Sequence, residues 1–80
     1  MVNADDDESI ALDLRGLKCP LPALKARKAL QVMQPGLVLS VLATDPMSAI
    51  DIPNMVRETG DVLLGQSSSD GVLSFSIKKM

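Results

Sequence analysis

Two prolines one residue apart, Pro20 and Pro22, separate two runs of different periodicity, and this junction restricts what the chain can fold into. Before them Ile10-Ala11-Leu12-Asp13-Leu14 alternates apolar and polar in the manner of a short strand. After them apolar residues return at helical spacing. The segment Arg15-Gly16-Leu17-Lys18-Cys19-Pro20-Leu21-Pro22 is therefore a strand-to-helix loop, and it holds the only cysteine. Proline suits a first helical position, because its missing N–H would be unpaired there and its φ already matches a helix. The pattern predicts Cys19 at the N-cap of a helix running from about Pro20 to Met33, with Pro20 at its first position. Pro22 removes a second donor, which leaves the amides of Leu21 and Ala23 to face the sulfur. Unpaired amides and the positive end of the helix dipole favour an anion at such a place. The expectation is an exposed thiol with a lowered pKa, and the thiolate is the reactive form. The chain has no histidine to serve as its base, so Lys18 and Arg15 are the cations expected to assist.

Punctuation divides the rest of the chain. Leu21, Leu24, Leu30 and Met33, with Ala23, Ala26 and Ala29, supply the apolar positions of the first helix, although Leu21 beside the thiol is also a candidate partner contact. Pro35-Gly36 stops that helix, and Leu37 to Ala43 reads as a buried strand with Val38, Val41 and Leu42 inside. Asp45-Pro46 opens the next turn, where Asp45 can cap an amide. Pro53 cannot lie deep in a helix without costing a hydrogen bond. The second helix is thus expected either to follow a short turn around Met47 to Ile50 or to kink there, with its regular part over Asn54 to Thr59. Gly60 ends it. Val62 to Gly65 and Val72 to Ile77 form two further strands, joined through Ser67-Ser68-Ser69-Asp70-Gly71, and Asp70-Gly71 is a hairpin-turn signal.

Eighty residues with 46% apolar content suit one small domain. Its core must be aliphatic, since Phe75 is the only aromatic. A single cysteine excludes an internal disulfide framework. The methionines Met33, Met47, Met55 and Met80 have no cysteine or histidine cluster beside them and are expected to fill the core or lie on the surface, so no metal and no cofactor is implied. Asp5-Asp6-Asp7-Glu8 marks residues 1–9 as a solvated acidic leader ahead of a domain spanning 10–80. Without those four acids, eight Lys and Arg face six Asp and Glu, so the domain itself is mildly basic. Arg15, Lys18, Lys25, Arg27 and Lys28 gather around the thiol, which suits an acidic partner surface, an RNA, or simply a solvated helix face. Lacking Tyr and Trp, the chain has no platform for stacking bases, so sequence-specific reading of nucleic acid is not expected. An acidic start and no long apolar run argue against a signal peptide or membrane span and point to a reducing cytoplasm.

The chain resembles the TusA/SirA/YedF-like small sulfur-carrier proteins. The likeness rests on Leu12-Asp13, Gly16-Leu17-Lys18-Cys19-Pro20-Leu21-Pro22, Arg27-Lys28, Pro35-Gly36, Asp45-Pro46, Asp51-Ile52-Pro53 and Ile77-Lys78-Lys79, and it covers nearly everything from Ile10 onward. It implies an α/β (α+β) two-layer sandwich, β-α-β-α-β-β, with two helices on one face of a four-stranded mixed sheet. It also implies that Cys19 carries sulfur as a persulfide, taken from a cysteine desulfurase or another sulfurtransferase and handed to an acceptor. On this reading Arg15, Gly16, Lys18, Pro20, Leu21 and Pro22 form the thiol environment. Arg27, Lys28 and Asp45 meet partner proteins, and the carrier is expected to be a monomer. Two positions depart from common family patterns. Leu21 stands where many members serving tRNA thiolation have glutamate, and Asn54-Met55-Val56 where some have a second cysteine.

Three functions remain open at this point. The leading one is a sulfur relay of the sulfurtransferase type, feeding tRNA uridine thiolation, molybdenum-cofactor maturation, sulfur oxidation or selenium handling, and not a small-molecule enzyme. The second is a regulatory module whose cysteine senses oxidants by pairing with another thiol. The third is a binding domain with an inert cysteine.

Overall fold

The computed structural model describes residues 9–80; the acidic block Asp5 to Glu8 lies outside the described residues. Six elements follow in the order β1 (Ser9–Leu14), α1 (Leu21–Val32), β2 (Val38–Ala43), α2 (Ser48–Thr59), β3 (Val62–Ser69) and β4 (Val72–Lys78). This is the expected β-α-β-α-β-β order. Ser9, placed in the leader by sequence, already belongs to β1.

The four strands form one sheet in the order β1-β2-β4-β3. β1 and β2 run parallel, and β4 lies antiparallel to both β2 and β3. β1, β2 and β3 therefore share a direction, with β4 inserted between the last two. Parallel neighbours require a crossover, and α1 supplies it between β1 and β2. The register lines up apolar rows across the sheet. Ile10, Leu39, Ile77 and Leu63 form one row, Leu12, Val41 and Phe75 a second, and Leu14, Ala43 and Leu73 a third.

Leu39, Val41, Ala43, Phe75 and Ile77 from these rows are buried together with Ala26, Leu30 and Met33 near α1 and Ile52, Met55 and Val56 of α2. Three sequence expectations change here. In β2 the buried residues are Leu39, Val41 and Ala43, while Val38 and Leu42 are only half-buried, because they project to the other side of the pleat. In α1 the buried positions are Pro22, Ala26 and Leu30, a narrow i, i+4, i+8 stripe, and both Leu21 and Leu24 are exposed. The serine run joins β3, so the hairpin loop shrinks to Asp70-Gly71, and β3 takes up the extra length at an irregularity between Leu63 and Gly65.

α2 runs through Pro53 as a continuous helix. Its entry is closed by short bonds, from Ser48 N–H to the Asp45 carbonyl, Ala49 N–H to Pro46 and Ile50 N–H to Met47, before Asp51 N–H reaches Met47 at 2.9 Å. Pro53 thus falls in the second turn, where the cost of its missing donor is confined to one carbonyl. Gly60 ends the helix in the left-handed conformation, as its position after Thr59 predicts.

Candidate functional site

The parallel pair β1 and β2 delivers two loops to the same end of the sheet, and both open helices. Open α/β sheets place their sites at the carboxyl ends of such strands. Here one loop carries Cys19 and the other Thr44, Asp45 and Pro46.

Side chains of the second loop hold the backbone of the first. Gly16 N–H donates to Thr44 Oγ1 at 2.9 Å, and Cys19 N–H donates to Asp45 Oδ2 at 2.8 Å. Asp45 Oδ1 meanwhile accepts from Met47 N–H at 2.9 Å. One carboxylate therefore anchors the thiol residue and shapes the entry of α2. Gly16 has φ +87°, a conformation in which an L side chain would be strained, so glycine is required for the loop to reach Thr44. The two amide bonds and the Lys18 charge hold the Asp45 carboxyl below its ordinary value.

Cys19 is exposed and free. It lies one residue further from α1 than expected: Pro20 is the cap, Leu21 the first helical residue, and the Cys19–Pro20 peptide is cis. The Leu21 amide donates to the Lys18 carbonyl at 2.8 Å and is not free to face the sulfur. The sulfur turns instead to the other helix, where Cys19 Sγ donates to Asp51 Oδ2 at 2.7 Å.

The expected lowering of the thiol pKa is accordingly reversed. The hydrogen bond to Asp51 pushes the Cys19 thiol up from its ordinary value, with loss of solvent and the negative charges of Asp51 and Asp45 acting in the same direction. The cations named from sequence are directed elsewhere. Arg15 forms a two-pronged pair with Asp13, Nε to Oδ1 at 2.9 Å and Nη2 to Oδ2 at 2.7 Å, and this bridge holds the Asp13 carboxyl at about 2. Lys18 acts on Asp45.

A groove of about 290 Å³ between the helices is lined by Ala23, Leu24 and Arg27 of α1 and by Asp51, Asn54, Met55 and Glu58 of α2. It shares Asp51 with the thiol. Arg27 thus borders a groove reaching the site, whereas Lys28 is exposed on α1 and does not line it. Leu21 (43% exposed) and Leu24 (54%) on α1, with Met47 (47%) and Ile50 (56%) at the start of α2, present apolar surface on the elements that flank the sulfur. Of the sequence candidates, Cys19 is hydrogen-bonded to Asp45 and Gly16 to the neighbouring Thr44, Pro20 caps α1, Leu21 is open to solvent and Pro22 is buried in the core.

Asp51 is the residue that local reading missed. Its signal was topological: a first-turn acid on the second crossover helix begins at the same sheet end as the loop that begins the first. Among the described residues no cluster of three or more Cys, His, Asp or Glu could hold a metal ion, and no helix is long and apolar enough to cross a membrane.

Comparison with known proteins agrees with this architecture. The family model described as Sulfurtransferase TusA matches residues 10–79. A protein of Neisseria meningitidis is 51% identical over 70 residues, covering 88% of this chain and 95% of its own. The sulfur carrier protein TusA of Allochromatium vinosum is 45% identical over 76 residues, covering 95% and 97%. The crystal structure of the SirA-like protein from Desulfitobacterium hafniense superposes with a TM-score of 0.74 at 28% identity, covering 85% of this chain and 93% of that one. With its fold, its Cys-Pro-Leu-Pro loop and its full-length matches in agreement, the chain belongs to the TusA family.

Proposed function

We propose that this protein is a sulfur carrier that holds one sulfane sulfur as a persulfide on Cys19. The observation that carries the reading is the mounting of the only cysteine. It is exposed, and its backbone is anchored through Asp45 at the sheet end where two crossover helices begin. The kinship with TusA of Allochromatium vinosum, a protein named as a sulfur carrier, supports it.

In the proposed step the Cys19 sulfur attacks the terminal sulfur of a donor persulfide, R–S–SH. A bond forms between Sγ and that sulfur while the donor's own S–S bond breaks, and the donor thiolate leaves with the electron pair. The proton of Cys19 ends on the donor, so Cys19–SH and R–S–SH become Cys19–S–SH and R–SH with no external oxidant. A second thiolate, on an acceptor protein, then removes the sulfur by the same exchange. The donor class is a cysteine desulfurase or another sulfurtransferase. Arg27 and the apolar residues Leu21 and Leu24 are assigned to docking, with Lys28 further along the same helix. Asp45 acts by holding the loop. A free thiol used in this way belongs in a reducing compartment.

The test is intact mass after incubation with a cysteine desulfurase and cysteine. The full chain should gain one sulfur atom, lose it on treatment with a reductant, and gain none as Cys19→Ser. A protein that stays unmodified while the donor is charged overturns the reading.

A further inference from the structure

The shared contact between Cys19 and Asp51 has chemistry beyond anchoring. Asp51 lies in the first turn of α2, half-buried, and its Oδ2 receives the thiol proton at 2.7 Å. The residues that act on the sulfur electrostatically are both acids, Asp51 from α2 and Asp45 from the loop after β2. From its own loop, Lys18 acts on Asp45, and Arg15 is paired with Asp13. From α1, Arg27 lines the groove that Asp51 shares, with Glu58 further along α2.

We propose that Asp51 is a positioning residue that distinguishes empty from loaded Cys19: its carboxylate tethers the protonated thiol, and it repels the sulfur once the thiol proton has been replaced by a second sulfur atom. The inference rests on the carrier reading. The hydrogen bond exists only while Sγ bears a hydrogen. In Cys19–S–SH that hydrogen is gone, and the titrating atom is the outer sulfur, one S–S bond of about 2.05 Å further away. Sγ then faces Asp51 with lone pairs only, and an ionised outer sulfur faces two carboxylates. Both changes turn the cargo away from α2 toward solvent and an incoming acceptor. The empty carrier, by contrast, keeps its thiol tied down and slow toward small electrophiles.

The experiment compares wild type, Asp51→Asn and Asp51→Ser, with Asp70→Asn at the β3–β4 turn, an acid outside the pair that acts on the sulfur, as the control for a lost negative charge. Iodoacetamide alkylation is followed against pH. Wild type should show its midpoint above the ordinary thiol value of about 8.5. Both Asp51 variants should react roughly three- to tenfold faster at neutral pH, with the midpoint moved down, and Asp70→Asn should match wild type. Each protein is then loaded directly with polysulfide, and the loss of sulfur to dithiothreitol is timed. Release should be slower in the Asp51 variants, because the loaded sulfur is no longer repelled. Alkylation or release at the wild-type rate, in an Asp51 variant that keeps its melting transition, overturns the role. Because neither arm uses a donor protein, this outcome is separate from failure of the desulfurase test, which would remove the carrier reading itself.

Discussion

The two helices have the same length and begin at the same end of the sheet, yet they bury different things. α2 contributes Ile52, Met55 and Val56 to the core and turns Asp51 toward the thiol. α1 buries Pro22, Ala26 and Leu30 and leaves Leu21 and Leu24 in solvent. The difference follows from spacing. Positions 48, 52, 55 and 56 span a broad stripe, whereas 22, 26 and 30 follow a single i, i+4 row that leaves the neighbouring leucines outside the contact. Both helices pack on the sheet and both expose apolar residues near the site, but α2 alone adds a carboxylate to the sulfur, and α1 keeps two leucines in solvent just after it. On the proposed reading, partner contact falls to the exposed leucines of α1, while α2 carries the broader share of the packing.

The sharpest way to break this division is to remove packing from α2. Ile52 is fully buried, and Ile52→Ala should cost about 2–4 kcal/mol, since a buried aliphatic loses both its transfer energy and its fit. Chemical denaturation with an unchanged slope would measure it. A loss under about 1 kcal/mol would mean that the core collapses readily around the gap and that α2 is not its principal support.

A smaller effect is expected where the two helix entries meet. Asp45→Ala removes the acceptor for both Cys19 N–H and Met47 N–H. Loss of a capping carboxylate of this kind should cost about 1–2 kcal/mol. It should also speed amide hydrogen exchange at Cys19 and Met47 together. Faster exchange at Met47 alone would show that the thiol loop is held by Gly16 and Thr44 without help from Asp45.

The elements were legible from local pattern, and the contacts between them were not. Gly60, Asp70-Gly71 and the alternation of Val72 to Ile77 identify a helix stop, a hairpin and a half-buried strand, because each depends on neighbours within a few residues. β2 was harder: in Leu37 to Ala43 apolar residues sit on both sides of the pleat, so no contrast remains to show which side faces the helices. In α1 the leucines outweighed Pro22, whose burial depends on where α2 lies. The thiol was misjudged for the same reason. Leu21 N–H is taken by the Lys18 carbonyl, Arg15 by Asp13, and the sulfur by Asp51, thirty-two positions along the chain. Local reading supplied a helix end and two cations; tertiary structure supplied an acid.

The smallest expected change in stability tests the presenting helix. Leu24 is 54% exposed and lines the groove that runs from α1 to Asp51. Leu24→Ser should cost no more than about 1 kcal/mol, because more than half of the side chain stays in water in the folded protein. Serine is also a poorer helix former than leucine, which contributes a few tenths of a kcal/mol of that loss. Transfer of sulfur from a donor protein should nevertheless slow, because an apolar residue beside the sulfur contributes most when a partner covers it. Alkylation by iodoacetamide, which needs no docking surface, should be unchanged. Those three measurements separate the two helices by function: Ile52→Ala should lower stability and leave transfer per folded molecule intact, and Leu24→Ser should do the reverse. A Leu24→Ser protein that melts much earlier yet transfers sulfur normally would place this leucine with the core and remove α1 as the presenting face.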